Sequence, residues 1–418
     1  EQDTLSSIEN LIGTDFDDTL AGDAGDNTLD GGDGTDTVSY AAAAAAVTVN
    51  LGAGTASGEG ADTLISIENV TGSAFDDVLT GSDGANVFDG GAGDDTIFYS
   101  DGANIVDGGD GFDTLNYSNS RISIVFNMID SISGRGVSST GEIDESRSFR
   151  ISNIEKLTGS SYGDTFIGGS QGFVFDGGAG DDVLRSAAGT DIFYGGAGFD
   201  TASYSHTSIA IEIDLEIGAG HGGYAEGDQY FDIESLIGSQ GDDHLKGSSR
   251  DERLSGYLGV DIVDGGDGND TLWSGDVDLA LVADLAAGTT GDGDTLISIE
   301  NLQGAKAADT LLGDDGVNIL SGGSGNDILN GRGGADILYG GDGIDTASYA
   351  DHTAGVFISM GAIYFGEEDD SPDGGIIVPN SDGDSLNFIE NLIGSAFDDV
   401  LAGDSGSNVL EGGAGDDE

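Results

Sequence analysis

A large apolar residue recurs every nine positions along most of the chain, separated by polar, glycine-rich stretches. Twenty-five such nonapeptide units form six blocks, at 13–39, 72–116, 159–203, 238–273, 304–348 and 394–418, with the last unit truncated. In each complete unit the eighth residue is apolar, as in Leu20, Leu29 and Val38. We expect this residue to point inward from a short strand. A fixed period of this kind is typical of repeat architectures, and it predicts one continuous all-β solenoid over residues 1–418.

The polar stretch between the strands has the form G-G-x-G-x-D, seen at 90–95, 108–113, 322–327 and 340–345. Glycine allows a tight turn with positive φ. The aspartate at position six adds a hard oxygen ligand to the carbonyl groups of that turn, which suits calcium. Position six is aspartate in 18 of the 25 units. Calcium is therefore the candidate metal of the repeat.

Irregular β segments separate the blocks. Each carries a short alternating stretch, as at 47–49 and 356–358, which is typical of a strand, and closes with a phrase such as LISIENV at 64–70. The glutamate of this phrase, here called the closing glutamate, recurs as Glu9, Glu68, Glu155, Glu234, Glu300 and Glu390. The unequal intervals predict loop insertions at the surface. Each closing glutamate precedes the first aspartate of the next block by nine positions, so we expect the solenoid to continue through this phrase.

The net charge of the chain limits the partners that it can bind. With 79 acidic and 11 basic residues the net charge is -68, which repels nucleic acid and anionic membranes and opposes compaction unless cations bind. An acidic chain with few aromatic residues would normally be considered disordered, but the strict period overrides that expectation. There is no cysteine, so metal would take the place of disulfides in a secreted chain. We expect neither nucleic-acid binding nor membrane insertion.

The units GGAGDDTIF at 90–98, GGDGFDTLN at 108–116, GGSGNDILN at 322–330 and GGDGIDTAS at 340–348 resemble the hemolysin-type calcium-binding repeat of the RTX family. The resemblance implies a right-handed, rod-shaped parallel β-roll with calcium in its turns. It also implies a bacterial protein that leaves the cell by type I secretion and is extracellular or bound to the cell surface. The export signal of this family resembles an uncleaved C-terminal segment, which we expect beyond residue 418 of a longer protein.

In such a β-roll two nonapeptides form one coil of 18 residues, so each unit stacks on the unit two along, at a strand spacing of about 4.8 Å. Two facing aspartates would repel each other, and a Ca²⁺ about 2.4 Å from each oxygen would fit between them. About nine calcium sites are predicted, at Asp18–Asp36, Asp77–Asp95, Asp95–Asp113, Asp164–Asp182, Asp182–Asp200, Asp243–Asp261, Asp309–Asp327, Asp327–Asp345 and Asp399–Asp417. Glu252–Asp270 and Asn318–Asp336 are further candidates.

The second unit of every block lacks aspartate at position six. By the same stacking rule its residue faces a closing glutamate, giving the pairs Glu9–Asn27, Glu68–Asn86, Glu155–Phe173, Glu234–Glu252, Glu300–Asn318 and Glu390–Asn408. A Glu–Asn pair carries half the charge of an Asp–Asp pair, and the glutamate turn lacks the glycines that aim carbonyls at a cation. We expect hydrogen bonds at these positions. The alternative is a modified calcium site with glutamate as a longer ligand.

No catalytic or cofactor-binding constellation accompanies the repeats. The GDSG at 403–406 lies in register inside a unit, and the four histidines are isolated. We therefore expect no enzyme but a calcium-binding structural or adhesive region of adhesin, surface-layer or matrix-fibre type, which folds on calcium after secretion. Its expected partners are calcium, further copies of itself, and cell-surface or matrix components. The alternative is the calcium-binding C-terminal region of a secreted protease, lipase or alginate epimerase, which would aid export and folding.

Overall fold

The computed structural model describes residues 8–100, 102–127, 133–137, 143–274, 279–360, 364–365, 376–377 and 383–418. Its regular structure is almost entirely short β-strands, with one 3-10 turn at Gly223–Ala225. The strands of the first half are β1 Asn10–Ile12, β2 Thr19–Leu20, β3 Thr28–Asp30, β4 Thr37–Ser39, β5 Thr48–Asn50, β6 Thr55–Ser57, β7 Ala61–Ile65, β8 Asn69–Thr71, β9 Val78–Thr80, β10 Val87–Asp89, β11 Thr96–Phe98, β12 Ile105–Asp107, β13 Thr114–Asn116, β14 Ile124–Asn127, β15 Ser133–Val137, β16 Ile143–Ser152, β17 Lys156–Thr158, β18 Thr165–Ile167, β19 Val174–Ala179, β20 Val183–Arg185, β21 Ile192–Ala197 and β22 Thr201–Ser203.

The strands of the second half follow the same pattern. They are β23 Glu212–Asp214, β24 Ala219–His221, β25 Gln229–Phe231, β26 Ser235–Ile237, β27 His244–Lys246, β28 Arg253–Ser255, β29 Ile262–Asp264, β30 Thr271–Trp273, β31 Val282–Asp284, β32 Thr289–Thr290, β33 Thr295–Ile297, β34 Asn301–Gln303, β35 Thr310–Leu312, β36 Ile319–Gly325, β37 Ile328–Asn330, β38 Ile337–Gly343, β39 Thr346–Ser348, β40 Phe357–Ser359, β41 Tyr364–Phe365, β42 Ile376–Ile377, β43 Ser385–Asn387, β44 Asn391–Ile393, β45 Val400–Ala402 and β46 Val409–Glu411.

The register of the strands confirms that each unit stacks on the unit two along. Leu79 of β9 pairs in parallel with Ile97 of β11, and Ile97 pairs with Leu115 of β13, each step being 18 residues. The intervening strands β10 and β12 pair with each other in the second sheet, again 18 residues apart. Successive units therefore alternate between two parallel sheets, and the fold is an all-β parallel β-roll.

The chain divides into two compact units. The first contains residues up to Tyr204 together with Ala219–Ile233, and its sheets run β1-β3-β7-β6-β5-β9-β11-β13-β17-β19-β21-β25-β24 and β2-β4-β8-β10-β12-β16-β15-β14-β18-β20-β22. The second contains Ser205–Gly218 and Glu234–Glu418, with sheets β23-β27-β29-β33-β32-β31-β35-β37-β39-β44-β46 and β26-β28-β30-β34-β36-β38-β43, and the pair β40-β45. One continuous solenoid over 1–418 stays a prediction.

The segments between blocks contain the expected strands, and in two of these segments further strands join the sheet. In the first of them β5, β6 and β7 form an antiparallel meander, while β5 also pairs in parallel with β9 and β7 with β3. The strands β31, β32 and β33 repeat this arrangement in the second compact unit. The meander enters the sheet because its alternating residues Val49, Ala56 and Leu64 are buried, and pairing satisfies its main-chain groups. These two segments thus continue the roll.

The core consists mostly of position-eight residues, joined by inward residues of the segments between blocks. Part of it is aromatic: the ring of Phe175 stacks on Phe193 at 5.7 Å between centroids, and Phe193 stacks on Tyr230 of β25 at 5.5 Å. Strand residues on either side of position eight are more exposed, which gives the three-residue strands their alternating burial. The core is therefore one side chain wide in each strand, as the ninefold period predicts.

Two neighbouring residues of β37 test this assignment. Leu329 occupies position eight and is fully buried, whereas Ile328 beside it is 42% exposed. We expect Leu329→Ala to lower the free energy of unfolding by about 2–5 kcal/mol, since the cavity cannot collapse in a thin core. Ile328→Ala, which removes the same number of carbons, should change it by roughly 0.5 kcal/mol or less. Urea denaturation at fixed calcium measures both variants, and equal losses would contradict the assignment of position eight to the core.

Candidate metal centre

The structure brings together all nine predicted aspartate pairs. In each pair the main-chain N–H of the first aspartate donates to Oδ1 of the second, at 2.6–3.0 Å. The two further candidates have the same arrangement, since the N–H of Glu252 donates to Asp270 Oδ1 at 2.7 Å and that of Asn318 to Asp336 Oδ1 at 2.8 Å. Each carboxylate therefore lies directly beside the turn of the preceding coil.

The second carboxylate oxygen separates these aspartates into two classes. In seven of them Oδ2 is buried and has no hydrogen-bond partner, and we refer to these as the open aspartates: Asp36, Asp95, Asp113, Asp182, Asp270, Asp327 and Asp345. Leaving a buried carboxylate oxygen without a partner is costly, because the group has lost its water. These seven positions need either a proton or a cation.

The surroundings of the open Oδ2 atoms are rich in oxygen. A Cβ added to Gly90 would collide with both Asp95 Oδ2 and the carbonyl oxygen of Gly108, one coil further on. At Gly322 the same space is bounded by Asp327 Oδ2 and the carbonyl of Gly340. The first glycine of the unit thus keeps open a space on which a carboxylate and a carbonyl converge. Such hard oxygens are what Ca²⁺ takes, at about 2.3–2.6 Å, so the residues fit the predicted ion.

The residue at position two distinguishes the open aspartates from those of the first units. In the first unit of all six blocks this residue is Thr, Ser or Ala, and its N–H donates to Oδ2 of the aspartate in the same unit: Thr14 to Asp18, Ser73 to Asp77, Ser160 to Asp164, Ser239 to Asp243, Ala305 to Asp309 and Ser395 to Asp399. In the open units position two is glycine with positive φ, for example 103° at Gly91 and 97° at Gly178. That backbone conformation leaves the carboxylate without its local donor.

Burial changes the acidity of several open aspartates. It raises the pKa of Asp95, Asp182 and Asp270 from the ordinary value of 3.8 to about 7, with the negative charges of neighbouring carboxylates adding to the effect. Desolvation also raises the pKa of Asp113, Asp327 and Asp345. A bound cation would reverse this preference because it favours the ionised carboxylate.

Four aspartates that the repeat pattern does not single out also lie in these stacks. Asp62, Asp228, Asp294 and Asp384 accept the N–H of a position-six residue of the preceding coil. Three of them also accept a hydrogen bond from the tyrosine hydroxyl that follows a block: Tyr40 to Asp62, Tyr204 to Asp228 and Tyr349 to Asp384. A sequence signal does exist, because each lies six residues before a closing glutamate. The tyrosine supplies the donor that the turn lacks.

Three of the four Glu–Asn pairs form side-chain hydrogen bonds, while in the fourth the amide of Asn27 donates to Asp23 Oδ1 at 3.4 Å and not to Glu9. The side-chain amide of Asn86 donates to the main-chain carbonyl of Glu68, and Asn318 and Asn408 do the same to Glu300 and Glu390, at 2.7–3.1 Å. The glutamate carboxylate points to the preceding coil instead. Within the described part of the chain no three His, Cys, Asp or Glu side chains form a metal-binding group, so a cation would depend on main-chain carbonyls as well.

The raised pKa values predict that acid partly replaces calcium. Groups whose pKa is higher in the folded than in the unfolded chain stabilise the fold at low pH, and this contribution is lost as pH rises through about 7 for Asp95 and Asp182. In chelator, β-structure measured by circular dichroism should therefore be greater at pH 5 than at pH 8. Changing Asp95, Asp182 and Asp270 together to Asn should reduce this difference. More structure at pH 8 than at pH 5 would contradict the assignment.

Comparison with known families agrees with this geometry. The model of the RTX calcium-binding nonapeptide repeat matches residues 6–42, 67–97, 98–116, 174–202, 237–272, 299–329, 312–347 and 386–418, together more than half of the chain. No curated protein matches the chain at a significant level. None of the described helical structure is long and apolar enough to cross a membrane. With its parallel β-roll and its glycine turns, the chain belongs to the RTX calcium-binding nonapeptide repeat family.

Proposed function

We propose that this chain is an extracellular, calcium-binding structural or adhesive region that folds when Ca²⁺ enters its turns after type I secretion. The observation that carries the proposal is the set of seven open aspartates, whose buried oxygens have no donor. RTX repeat proteins are typically secreted, and calcium is scarce in the cytosol but abundant outside the cell. The same residues would therefore remain unfolded before export and order themselves afterwards.

The ligands at a regular site are readily named. Between the coils of Asp95 and Asp113 they would be the open Oδ2 of Asp95 and the carbonyl of Gly108, with the Asp113 carboxylate adjacent through its hydrogen bond to the Asp95 N–H. Calcium would supply the positive charge that neutralises the buried carboxylates. A ligand present at about 100 times its dissociation constant stabilises the folded state by roughly 2.7 kcal/mol per site. Several such sites are comparable with the whole stability of a typical domain, roughly 5–15 kcal/mol.

In one turn of the second compact unit an arginine side chain provides the positive charge. The guanidinium of Arg332 donates to both carboxylate oxygens of Asp284, at 2.6 and 2.7 Å, and to the carbonyl oxygen of Gly313 at 2.8 Å. Gly313 is the first residue of a unit, so its carbonyl corresponds to the Gly108 carbonyl of the regular site. A carboxylate and a turn carbonyl thus hold a positive charge at this position, as we propose they do elsewhere with calcium.

The distribution of the carboxylates supports a non-catalytic role. The carboxylates lie in the stacked turns and are bonded to main-chain N–H groups of the next coil, where they connect coils. The large negative charge left after calcium binding would keep such a region hydrated and extended in a surface layer or matrix. Electron microscopy of the complete native polypeptide would distinguish fibres or arrays from an attached enzyme domain.

Calcium removal is the direct test of folding. In excess EDTA at neutral pH and low ionic strength the β spectrum should largely disappear, and millimolar Ca²⁺ should restore it cooperatively. Mg²⁺ is the matched control, because it demands octahedral geometry and keeps its waters. An unchanged β spectrum in EDTA, or full recovery with Mg²⁺ alone, would count against the proposal.

Two aspartates with different numbers of neighbours test the positions of the ions. Asp327 accepts the N–H of Asp309 and donates its own N–H to Asp345, while its Oδ2 is open. Asp399 donates its N–H to Asp417 but accepts an N–H from Val356 and not from an aspartate, and its Oδ2 accepts the N–H of Ser395. Asp327→Ala should remove about two ions and Asp399→Ala about one, since each site shares carboxylates from adjacent coils. Native mass spectrometry counts them, and equal losses would mean that the stacking assignment is wrong.

A further inference from the structure

The last coil of four blocks ends against a closing glutamate. The N–H of the last aspartate donates to glutamate Oε2 at 2.8–2.9 Å in Asp36–Glu68, Asp113–Glu155, Asp270–Glu300 and Asp345–Glu390. This is the hydrogen bond that the N–H donates to aspartate Oδ1 in the middle of a block. The glutamate thus occupies the place of the next aspartate in the stack.

The length of the turn explains why this residue is glutamate. In the register of the strands Asp30 pairs with Ile65 and Thr37 with Asn69, so the six-residue turn 31–36 is followed one coil on by a turn of only three residues, 66–68. The same shortening from six to three residues occurs at the other three places. A turn of three residues brings its carboxylate to the neighbouring N–H by a shorter backbone path, and the extra methylene of glutamate supplies reach that aspartate lacks.

The shortened turn also supplies the carbonyl oxygen of a regular site. Its first residue adopts a left-handed conformation without being glycine, with φ of 50° at Ser66, 52° at Asn153, 49° at Ser298 and 54° at Phe388. Non-glycine residues rarely adopt this conformation, and a bulky residue such as Phe388 is least suited to it. A Cβ on Gly31 would collide with both the Ser66 carbonyl and Asp36 Oδ2, and corresponding collisions occur at Gly108, Gly265 and Gly340. Four strained turns place their carbonyls at the same point.

The aspartates at these positions provide an independent observation. Asp36, Asp113, Asp270 and Asp345 are all completely buried, and all four belong to the open class. Four of the seven open Oδ2 atoms therefore face a glutamate turn, which lacks the full G-G-x-G-x-D sequence. A hydrogen bond between Asp N–H and Glu Oε2 leaves the two carboxyl groups adjacent, with no donor for the open oxygen.

We propose that each of these four positions is a calcium site of a second type, formed by the open aspartate Oδ2, the carbonyl of the left-handed residue and the closing glutamate carboxylate. This inference rests on the proposed calcium binding of the regular turns and adds sites where the repeat motif is absent. The two carboxylates lie on either side of an intervening segment, since Asp270 and Glu300 are separated by β31, β32 and β33. A bound ion would close that segment at its base, as a crosslink does.

The variant Glu300→Gln tests the site at Asp270. Glutamine keeps an acceptor for the Asp270 N–H but removes the charge, so the turn should still fold. We expect about one bound calcium fewer than in the unmodified chain, and about four fewer when Glu68, Glu155, Glu300 and Glu390 are all changed to Gln, because calcium affinity depends on ligand charge. The matched control is Glu411→Gln, which neutralises an exposed glutamate at the end of β46 and should lose no ion.

Fluorescence provides a local readout that does not depend on counting ions. The single tryptophan of the chain, Trp273, is in β30, three residues after Asp270. The midpoint of a calcium titration followed by Trp273 fluorescence should shift to higher calcium concentration in Glu300→Gln. The midpoint should stay unchanged in Glu390→Gln, which alters a different site. Circular dichroism at saturating calcium verifies that each variant is folded.

The outcomes separate this inference from the proposed function. If the unmodified chain binds no calcium, the proposed function fails. If it binds calcium and folds, but the fourfold glutamine variant retains every ion, the closing glutamates only accept hydrogen bonds and the second type of site does not exist. An unshifted Trp273 titration in Glu300→Gln would contradict the inference in the same way.

Discussion

The structure depends on one feature of the turn, which is a buried carboxylate oxygen that has no hydrogen-bond donor. Each open aspartate uses Oδ1 to hold the N–H of the preceding coil, which fixes the spacing of the two coils and draws the carboxylate out of water. The positive φ of the second glycine then removes the only local N–H that could reach Oδ2. Like charges are stacked at strand spacing along a core one residue wide. The parallel β-roll is therefore an arrangement whose electrostatics favour binding of a divalent cation.

This requirement links the repeat sequence to its proposed physiology. A thin core of Leu, Val, Ile and Phe cannot outweigh both chain entropy and carboxylate repulsion, so the folded state gains stability from whatever neutralises the turns. Other groups can stabilise carboxylates in this chain. Protons can neutralise the aspartates whose pKa is raised. The guanidinium of Arg332 pairs with the carboxylate of Asp284 at one turn, and the hydroxyl groups of Tyr40, Tyr204 and Tyr349 donate hydrogen bonds to aspartates. Calcium is the cation that an extracellular environment would supply.

Much of the fold could be predicted from the sequence because its signals are periodic. The ninefold spacing predicts the inward residues such as Leu79 and Ile97, and the stacking of alternate units predicts all nine aspartate pairs. Other features depend on backbone dihedral angles and atomic contacts that residue type alone does not determine. Asp77 and Asp95 both occupy position six, yet Asp77 accepts the N–H of Ser73 while Asp95 is open because Gly91 is left-handed, and this consequence of the residue at position two becomes visible only in the backbone geometry. The alternating stretch at 47–49 predicts β5, whereas the antiparallel pairing of β6 with β5 and β7 depends on how the chain turns back between these strands, which the sequence pattern does not show.

A crystal structure of the calcium-bound chain, with ions located by their anomalous scattering, tests the central claim most directly. The account predicts a calcium ion in contact with Oδ2 of Asp95, Asp182 and Asp327, each also in contact with the first-position carbonyl of the next coil. In that structure the aspartates of the first units, such as Asp77, should keep their Oδ2 bonded to the N–H of position two. Ions bound only by solvent-exposed carboxylates, with the open oxygens still without a partner, would contradict it.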